Sequence, residues 1–426
     1  MPAALQPELK ASSAGATEVI LSSLESLPVE IQIAILAESS LSSLRALIRS
    51  SPRFYHVYFR HRLLILNKSL NNSLGGILQD AYAACWSDLW FGGYDAAAGV
   101  GPFSFEDYLE SLLIDPTGST IDDLSLTVAR KMSYFHIRVV EPLTERYARW
   151  ALGALSSSPE AAPLTGTEKA HIQRAMYRLQ IICNIPIRDD QAIFEAMDAF
   201  GPWQAEEILC VHEFAKDRYK SVFVECVWHL DQPKYISMHL WEVEERPILY
   251  DYDLINDDAL TTMLSLGLPV LQDSFEARNS GELVDDVRYS ILSGDWVYRR
   301  EWIDSAVWSN ASDQDLRRQE VYTERDEAQD SQQKIQCEQD DLFSPPLAWV
   351  AFWGGRYSNL FGRYVPPALR RWGYVMWDAK RLEASGAMEF VELEWQCKYG
   401  VRGAPEEDDP REFYCLEYQR NAENGD

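Results

Sequence analysis

Two cysteine–histidine pairs come nearest to a metal site in this sequence. One residue separates Cys210 from His212, and two separate Cys226 from His229. Zn²⁺ prefers thiolate and imidazole ligands, all within about 2.3 Å of the ion. The pattern of 203–230 predicts one helix, along which the two pairs would lie roughly 21–24 Å apart at 1.5 Å per residue. We therefore predict core cysteines and interfacial histidines that bind no metal.

Carboxylates are the second group that could do chemistry. Asp251 and Asp253 begin like a calcium loop, but Ile255 stands at the fifth position and no glycine follows at the sixth. Magnesium-dependent isoprenoid cyclisation needs Asp-Asp-x-x-Asp/Glu on a helix, and the one segment with that spacing, 408–412, contains a proline that breaks any helix.

The sequence patterns of phosphate-binding loops, dinucleotide-binding folds, serine hydrolases and H-E-x-x-H zinc enzymes do not occur. Without geometry, single histidines and carboxylates cannot be assigned a role. We therefore predict a protein that is not an enzyme, with no catalytic residue, no cofactor and no metal. An enzyme whose site the sequence does not reveal is the alternative.

The charge of the chain limits the class of partner. Its 426 residues carry 39 bases and 66 acids, a net charge of −27. Such a surface repels phosphate backbones and anionic membranes, so we expect no nucleic-acid and no membrane partner. A local basic patch is still compatible with this charge, and the candidates for it are Arg356, Arg363, Arg370 and Arg371.

Several features predict a cytoplasmic or nuclear location. The first 20 residues contain no apolar run typical of a secretory signal, and no later run approaches the roughly 18 apolar residues of a membrane span. The seven cysteines are odd in number and widely scattered, which is typical of reduced, mostly buried thiols.

Helical periodicity predominates and strand-like alternation is scarce, so we predict a mainly α fold: a three-helix N-terminal module followed by a large irregular helical domain. The segment 121–155 predicts one or two helices, ended or kinked by Pro142. The Pro366-Pro367 pair predicts the start of a helix that includes Leu369, Trp372 and Met376. The predicted divisions are a disordered tail at 1–23, a helical module at 24–66, a helical region at 67–155, a linker at 156–167, a helical body at 168–403 with a polar acidic insertion at 311–341, and an acidic tail at 404–426.

The block 24–66 has the most specific pattern in the chain. Apolar residues at 29, 31, 33 and 35 alternate as in a strand, but Pro28 followed by Glu30 is typical of a helix start, and we favour a helix. Ser40 is a predicted N-cap for a second helix, and Ser51 with Pro52 repeats this arrangement for a third. Three short amphipathic helices cannot bury all of their apolar faces, so some apolar surface is left for another domain or a partner.

This block resembles an F-box. The family pattern is Leu-Pro-x-Glu-Ile, then Ile-Phe or Ile-Leu, then paired leucines, then a cysteine followed by an aromatic residue. The sequence departs from it at Ser39, where leucine is usual, and at 50–52, where Ser-Ser-Pro replaces the usual apolar–cysteine pair. The matching residues are Leu27, Pro28, Glu30, Ile31, Ile35, Leu36, Leu44, Leu47 and Phe54.

The resemblance implies binding to the small adaptor subunit of an SCF-type ubiquitin ligase, while the rest of the chain would bind an unknown protein substrate. Such a contact is apolar, and a few buried anchors carry most of its energy. An F-box-derived scaffold or regulator that no longer binds the adaptor is the alternative. The residues in or behind the implied interface are Leu27, Pro28, Ile31, Ile35, Leu36, Leu44 and Leu47.

A second resemblance covers parts of the helical body. The segments 174–184, 203–219 and 364–378 are similar to stretches of large fungal proteins that carry an F-box-like N-terminus. This resemblance implies a helical body and supplies no activity.

Overall fold

The structure is a computed structural model that describes part of the chain. The predicted tails 1–23 and 404–426, the segment 311–339 of the acidic insertion and the aspartates at 251 and 253 lie outside the described residues. The described residues are 24–90, 104–114, 124–155, 162–185, 190–230, 260–261, 263–277, 281–283, 303, 340–355 and 361–399.

The described residues form helices joined by turns, and none of them forms a β-strand, which confirms the predicted mainly α fold. The chain divides into two compact units, Met1–Asn72 and Ser73–Asp426. The sequence analysis placed the end of the first module at residue 66.

Three helices make up the described part of the first unit: α1 (Val29–Glu38), α2 (Leu41–Ser50) and α3 (Pro52–Leu74), whose last two residues lie beyond the division. The helical interpretation of 29–36 is therefore the one that the structure has. Ser40 caps α2 as predicted, because its side chain accepts a hydrogen bond from the Ser43 amide at 3.3 Å. Leu36, Leu44 and Phe54 are buried and form the unit's core.

The second unit begins with a short 3₁₀ turn and continues through helices of very different length. In chain order they are α4 (Leu78–Trp90), α5 (Phe105–Ile114), α6 (Leu126–Phe135), α7 (Glu141–Leu155), α8 (Gly166–Asn184), α9 (Asp190–Ala199), α10 (Pro202–Leu230), α11 (Leu268–Glu276), α12 (Leu347–Phe352), α13 (Pro367–Arg371), α14 (Ala379–Ser385) and α15 (Ala387–Tyr399).

Helix α8 is the centre of the second unit. It packs against α4, α7 and α10, and from His171 to Cys183 its residues are buried on every side, Arg174 and Arg178 included. Its start is fixed by a capping box in which Thr165 and Glu168 satisfy each other's backbone amides.

Pro142 produces a widened turn rather than a helix end. Residues His136–Val140 form a π-turn between α6 and α7, in which the Glu141 amide bonds to the His136 carbonyl. Proline has no amide hydrogen, and its ring collides with the carbonyl four residues earlier. A π-turn relieves that collision, and such turns are frequent at functional sites.

The helix predicted from Pro367 to Met376 is wrong in its length. Helix α13 ends at Arg371, and Gly373 then takes a φ of +67°, which places the chain in the left-handed region. Glycine adopts this conformation at little cost, which a single-sequence helix pattern does not reveal. The chain then turns so that Trp372 and Tyr374 enter an aromatic cluster with Phe352 and Trp395.

Gly373 also makes room for a neighbouring side chain, which a substitution can test. A Cβ at this position would collide with the hydroxyl of Tyr147, whereas Gly386, with a similar φ of +71°, has open space around it. We expect Gly386→Ala to cost about 1–2 kcal/mol of unfolding free energy from backbone strain alone. Gly373→Ala should cost about 1–3 kcal/mol more, because it adds overpacking.

Urea unfolding of the two variants, followed by circular dichroism, measures this difference. Equal losses at the two positions would contradict the close approach of Tyr147 to Gly373.

Candidate functional site

The predicted contact residues of the first unit divide into surface and core. Pro28 and Ile31 are exposed, and 47% of the Ile31 surface is open to solvent. Leu27, Ile35 and Leu47 are half-buried. Leu36 and Leu44 are buried, so they can support a contact surface but cannot touch a partner.

Two further aliphatic residues extend this surface. Leu24 and Val29 are 45% and 42% exposed and lie close in sequence to Pro28 and Ile31. The F-box pattern leaves both positions unspecified, so the sequence analysis did not select them. We call Leu24, Leu27, Pro28, Val29 and Ile31 the α1 surface.

A buried glutamine holds the residues that precede α1. The Gln32 amide nitrogen donates hydrogen bonds to the backbone carbonyls of Glu25 and Leu27, at 2.9 and 3.0 Å. Gln32 has no solvent exposure, so these bonds are shielded from competing water. They fix the segment that carries Leu24 and Leu27 against its own helix.

The departures from the F-box pattern have structural roles. The buried Ser51 accepts a hydrogen bond from the Phe54 amide at 3.3 Å, which caps α3, and its hydroxyl donates to Glu25. The Ser39 hydroxyl donates to the Ile35 carbonyl at 2.7 Å near the end of α1. Polar contacts therefore take the place of the usual apolar residues.

The described part of the second unit contains four buried or nearly buried arginine–carboxylate pairs. Glu168 binds Arg381 through both carboxylate oxygens, at 2.6 and 2.7 Å. Glu206 binds Arg370 in the same two-pronged manner, at 2.8 and 2.9 Å. Asp80 pairs with Arg178, and Glu207 with Arg174. The four carboxylate side chains are at most 4% exposed.

The Glu207 pair includes a histidine. Glu207 accepts from both Nε and Nη2 of Arg174, at 3.0 and 2.6 Å, and its Oε1 lies 2.6 Å from Nδ1 of His171. Burial alone would raise the pKa of the Glu207 carboxyl, but Arg174 and His171 outweigh it and lower that pKa. Glu207 is therefore a permanent anion at neutral pH.

The Glu206 pair lies among groups that are unreactive in this setting. Glu206 also accepts from the Gly362 amide at 2.6 Å, which saturates one oxygen. Burial raises the pKa of the neighbouring Cys210 thiol and of the Tyr374 phenol well above their usual values, and nearby carboxylates raise them further. Thiol and phenol therefore stay protonated and are poor nucleophiles.

These pairs favour an architectural role. In a catalytic acid–base site, the surroundings raise the pKa of an acidic group or lower that of a basic group, so that both titrate nearer to neutral pH. Here each of these four carboxylates is bound by an arginine, and the Glu207 pKa is moved away from neutrality. The prediction that the protein is not an enzyme stays a prediction.

Two of the four arginines proposed for a basic patch are paired with carboxylates. Arg370 binds the buried Glu206, and Arg371 binds Asp217 at 2.9 Å. The side chains of Arg356 and Arg363 lie outside the described residues.

Helix α10 runs unbroken from Pro202 to Leu230, as predicted. Cys210 and His212 are both buried on it, while the side chains of Cys226 and His229 are not described. Among the described residues, no group of three or more histidine, cysteine, aspartate or glutamate side chains is placed to hold a metal ion. Within the same residues, no helix has the length and apolarity required to cross a membrane.

His136 is a buried histidine in the π-turn. Its Nδ1 lies 2.8 Å from the Tyr177 hydroxyl, and the two rings stack with centroids 6.3 Å apart. Burial, with a smaller effect of the Lys169 charge, lowers the pKa of His136 from 6.5 to about 4. His136 is therefore neutral at pH 7.

Comparison with protein-family models, with curated proteins and with solved structures gave no significant match. Functional assignment therefore depends on the residues and geometry of the chain itself.

The Glu207 pair gives a testable difference from a surface pair. We expect Glu207→Gln to cost about 3–5 kcal/mol of unfolding free energy, because it leaves the Arg174 charge buried without its partner. Asp217→Asn removes the partner of Arg371, where both side chains are more than 40% exposed. It should cost at most about 1 kcal/mol. Chemical denaturation of both variants measures the losses, and similar losses would show that water reaches Glu207.

His136 predicts a specific pH dependence of stability. Its pKa is lower in the folded chain than in the unfolded one, so the folded state favours the neutral ring. The resulting stability is fully present above pH 6.5 and is lost as the pH falls from 6.5 to about 4. Between pH 6.5 and about 4, we expect the wild-type protein to lose about 3 kcal/mol more unfolding free energy than His136→Gln, which has no ring that titrates at this position. Unfolding free energies of both proteins across this range measure it, and parallel curves would contradict a buried neutral His136.

Proposed function

We propose that this protein is an F-box-like substrate receptor that links a target protein to an SCF-type ubiquitin ligase. In this function the first unit binds the small adaptor subunit of the ligase through the α1 surface. The second unit binds the target protein and contributes no chemistry of its own. The ligase acts in the cytoplasm or nucleus, which is where we expect the protein to be located.

The exposure of the α1 surface carries this proposal. Val29 and Ile31 are exposed in the first turn of α1, whereas Leu36, further along the same helix, is buried in the core of the unit. Full burial of one such aliphatic side chain is worth about 1.5–3 kcal/mol. An exposed group of them, preceded by the exposed Pro28, matches the apolar anchors of a helix-in-groove contact.

The organisation of the three helices also supports adaptor binding. Gln32 and Ser51 fix the residues around Glu25, and the Asn72 amide donates to the Ala37 carbonyl at 3.1 Å at the far end of α1. The surface is therefore pre-ordered, which lowers the entropy lost on binding.

A helical scaffold that no longer binds the adaptor is the second candidate. It is favoured by the burial of Leu36 and Leu44, which the F-box resemblance also assigned to the interface region and which are not accessible to a partner.

A negative charge introduced on the α1 surface tests the proposal. We expect wild-type protein to co-purify with the host's adaptor subunit in a one-to-one complex. Ile31→Asp should weaken the complex at least about tenfold, because it places a carboxylate in an apolar contact. The matched control is Val224→Asp on α10, an aliphatic residue that is 60% exposed in the second unit. It should leave the affinity unchanged.

Circular dichroism must show that both variants remain folded, which the exposure of the two side chains leads us to expect. No complex with folded wild-type protein would reject the adaptor function and favour the scaffold. Equal binding by Ile31→Asp and wild type would place the contact elsewhere.

A further inference from the structure

One segment, most of which lies in the first unit, carries bases but no acids. From Leu41 to Leu74 the sequence has no acidic residue. The rest of the chain holds the other 33 of the 39 bases and all 66 acids. The segment therefore has a positive net charge, whereas the net charge of the whole chain is −27. The six bases of the segment are Arg45, Arg49, Arg53, Arg60, Arg62 and Lys68.

Exposed aromatic rings lie within this cationic segment. Tyr55 and Phe59 on α3 are 48% and 54% exposed, and their rings stack with centroids 6.2 Å apart. The guanidinium carbon of Arg62 lies 5.1 Å from the centre of the Phe59 ring. Tyr55, Phe59 and Arg62 therefore form one continuous patch, which we call the α3 face.

The backbone gives this patch a defined position. His61 has a φ of −118° and a ψ of 21°, outside the helical region, so α3 kinks between Phe59 and Arg62. Without that kink the helix would continue straight through the patch. Kinked helices of this kind have a specific local cause. Here the kink accompanies the stacking of Arg62 on Phe59.

We infer that the α3 face binds an acidic surface of the ligase adaptor, with apolar side chains between its carboxylates. Arginine pairs well with carboxylates and keeps its contact with the aromatic ring while doing so. The exposed rings need an apolar counterpart, which a protein surface provides and a phosphate backbone does not. An extended polyanion would in addition be repelled by the 33 excess acids of the remaining chain.

This inference rests on the proposed function, because the partner is the same adaptor. It assigns different roles in adaptor binding to two surfaces. The α1 surface supplies aliphatic anchors that slow dissociation. The α3 face supplies positive charge that accelerates association and selects acidic partners, since electrostatic complementarity acts mainly on the association rate.

The test measures association rates of the full chain with the purified adaptor at low and high salt. We expect Arg62→Glu to lower the association rate about tenfold at low salt, with a smaller difference at high salt. The matched control is Lys380→Glu, an exposed charge reversal on α14 in the second unit. It should leave the rate near that of wild type.

A second pair of variants tests the aromatic part of the α3 face. Phe59→Ala should raise the dissociation constant about tenfold, because aromatic anchors carry much of the binding energy. Tyr134→Ala removes a ring that is 68% exposed in the second unit and should have no effect. Thermal unfolding checks that all four variants are folded.

The outcomes separate the two claims. If wild type and the α3 variants bind the adaptor with the same rates and salt dependence, the α3 inference is overturned and the adaptor function stands. If wild type does not bind the adaptor, the adaptor function fails and the inference fails with it. Binding to phosphatidylserine vesicles or to duplex DNA that is lost in Arg62→Glu, without binding to the adaptor, would assign the α3 face to a polyanion instead.

Discussion

The structure of the second unit depends on the cost of burying charge in α8. Arg174 and Arg178 lie on a helix that other helices surround completely, and each is at most 3% exposed. An unpaired arginine there would lose its hydration without compensation, so each position requires a carboxylate at hydrogen-bonding distance. Glu207 on α10 and Asp80 on α4 provide these carboxylates. The two helices that pack most closely on α8 are therefore also the two that carry the carboxylates paired with its buried arginines.

The same constraint ties distant parts of the chain together. Glu206 on α10 pairs with Arg370, which lies 164 residues away, and Glu168 pairs with Arg381, which lies 213 residues away. Apolar packing tolerates a helix that slides or rotates, whereas a two-pronged arginine–carboxylate pair accepts one geometry. Buried pairs often add little to stability relative to well-packed apolar residues. Their contribution here is to select one arrangement of the C-terminal helices on α8 and α10.

The sequence was sufficient for the helical class, for α10 as a single helix and for the caps of the first unit, because periodicity and capping are local signals. It was insufficient for α13, because helical apolar spacing does not reveal the left-handed turn at Gly373 or the close approach of the distant Tyr147 hydroxyl. It also did not reveal the buried pairs. In a pattern based on apolar spacing, Arg174 and Arg178 are expected on a solvated face, and only the three-dimensional contacts identify their partners. At the candidate site, the resemblance selected Ile31 but also the buried Leu36, because a motif records residue types and not exposure.

The first unit differs from the second in that it is too small to bury all of its apolar side chains. A unit of this size leaves a large fraction of its surface in water, and apolar residues such as Ile31 and Phe59 remain exposed even though its core is complete. Polar contacts at Gln32 and Ser51 keep the helices in place without covering those residues. Exposed apolar groups in a persistent arrangement favour association, and in the proposed adaptor complex the absence of acid from Leu41 to Leu74 would favour a partner of complementary charge. Shape and charge thus restrict the partner independently, so two separate surfaces can give specificity that neither the aliphatic nor the cationic residues would give alone.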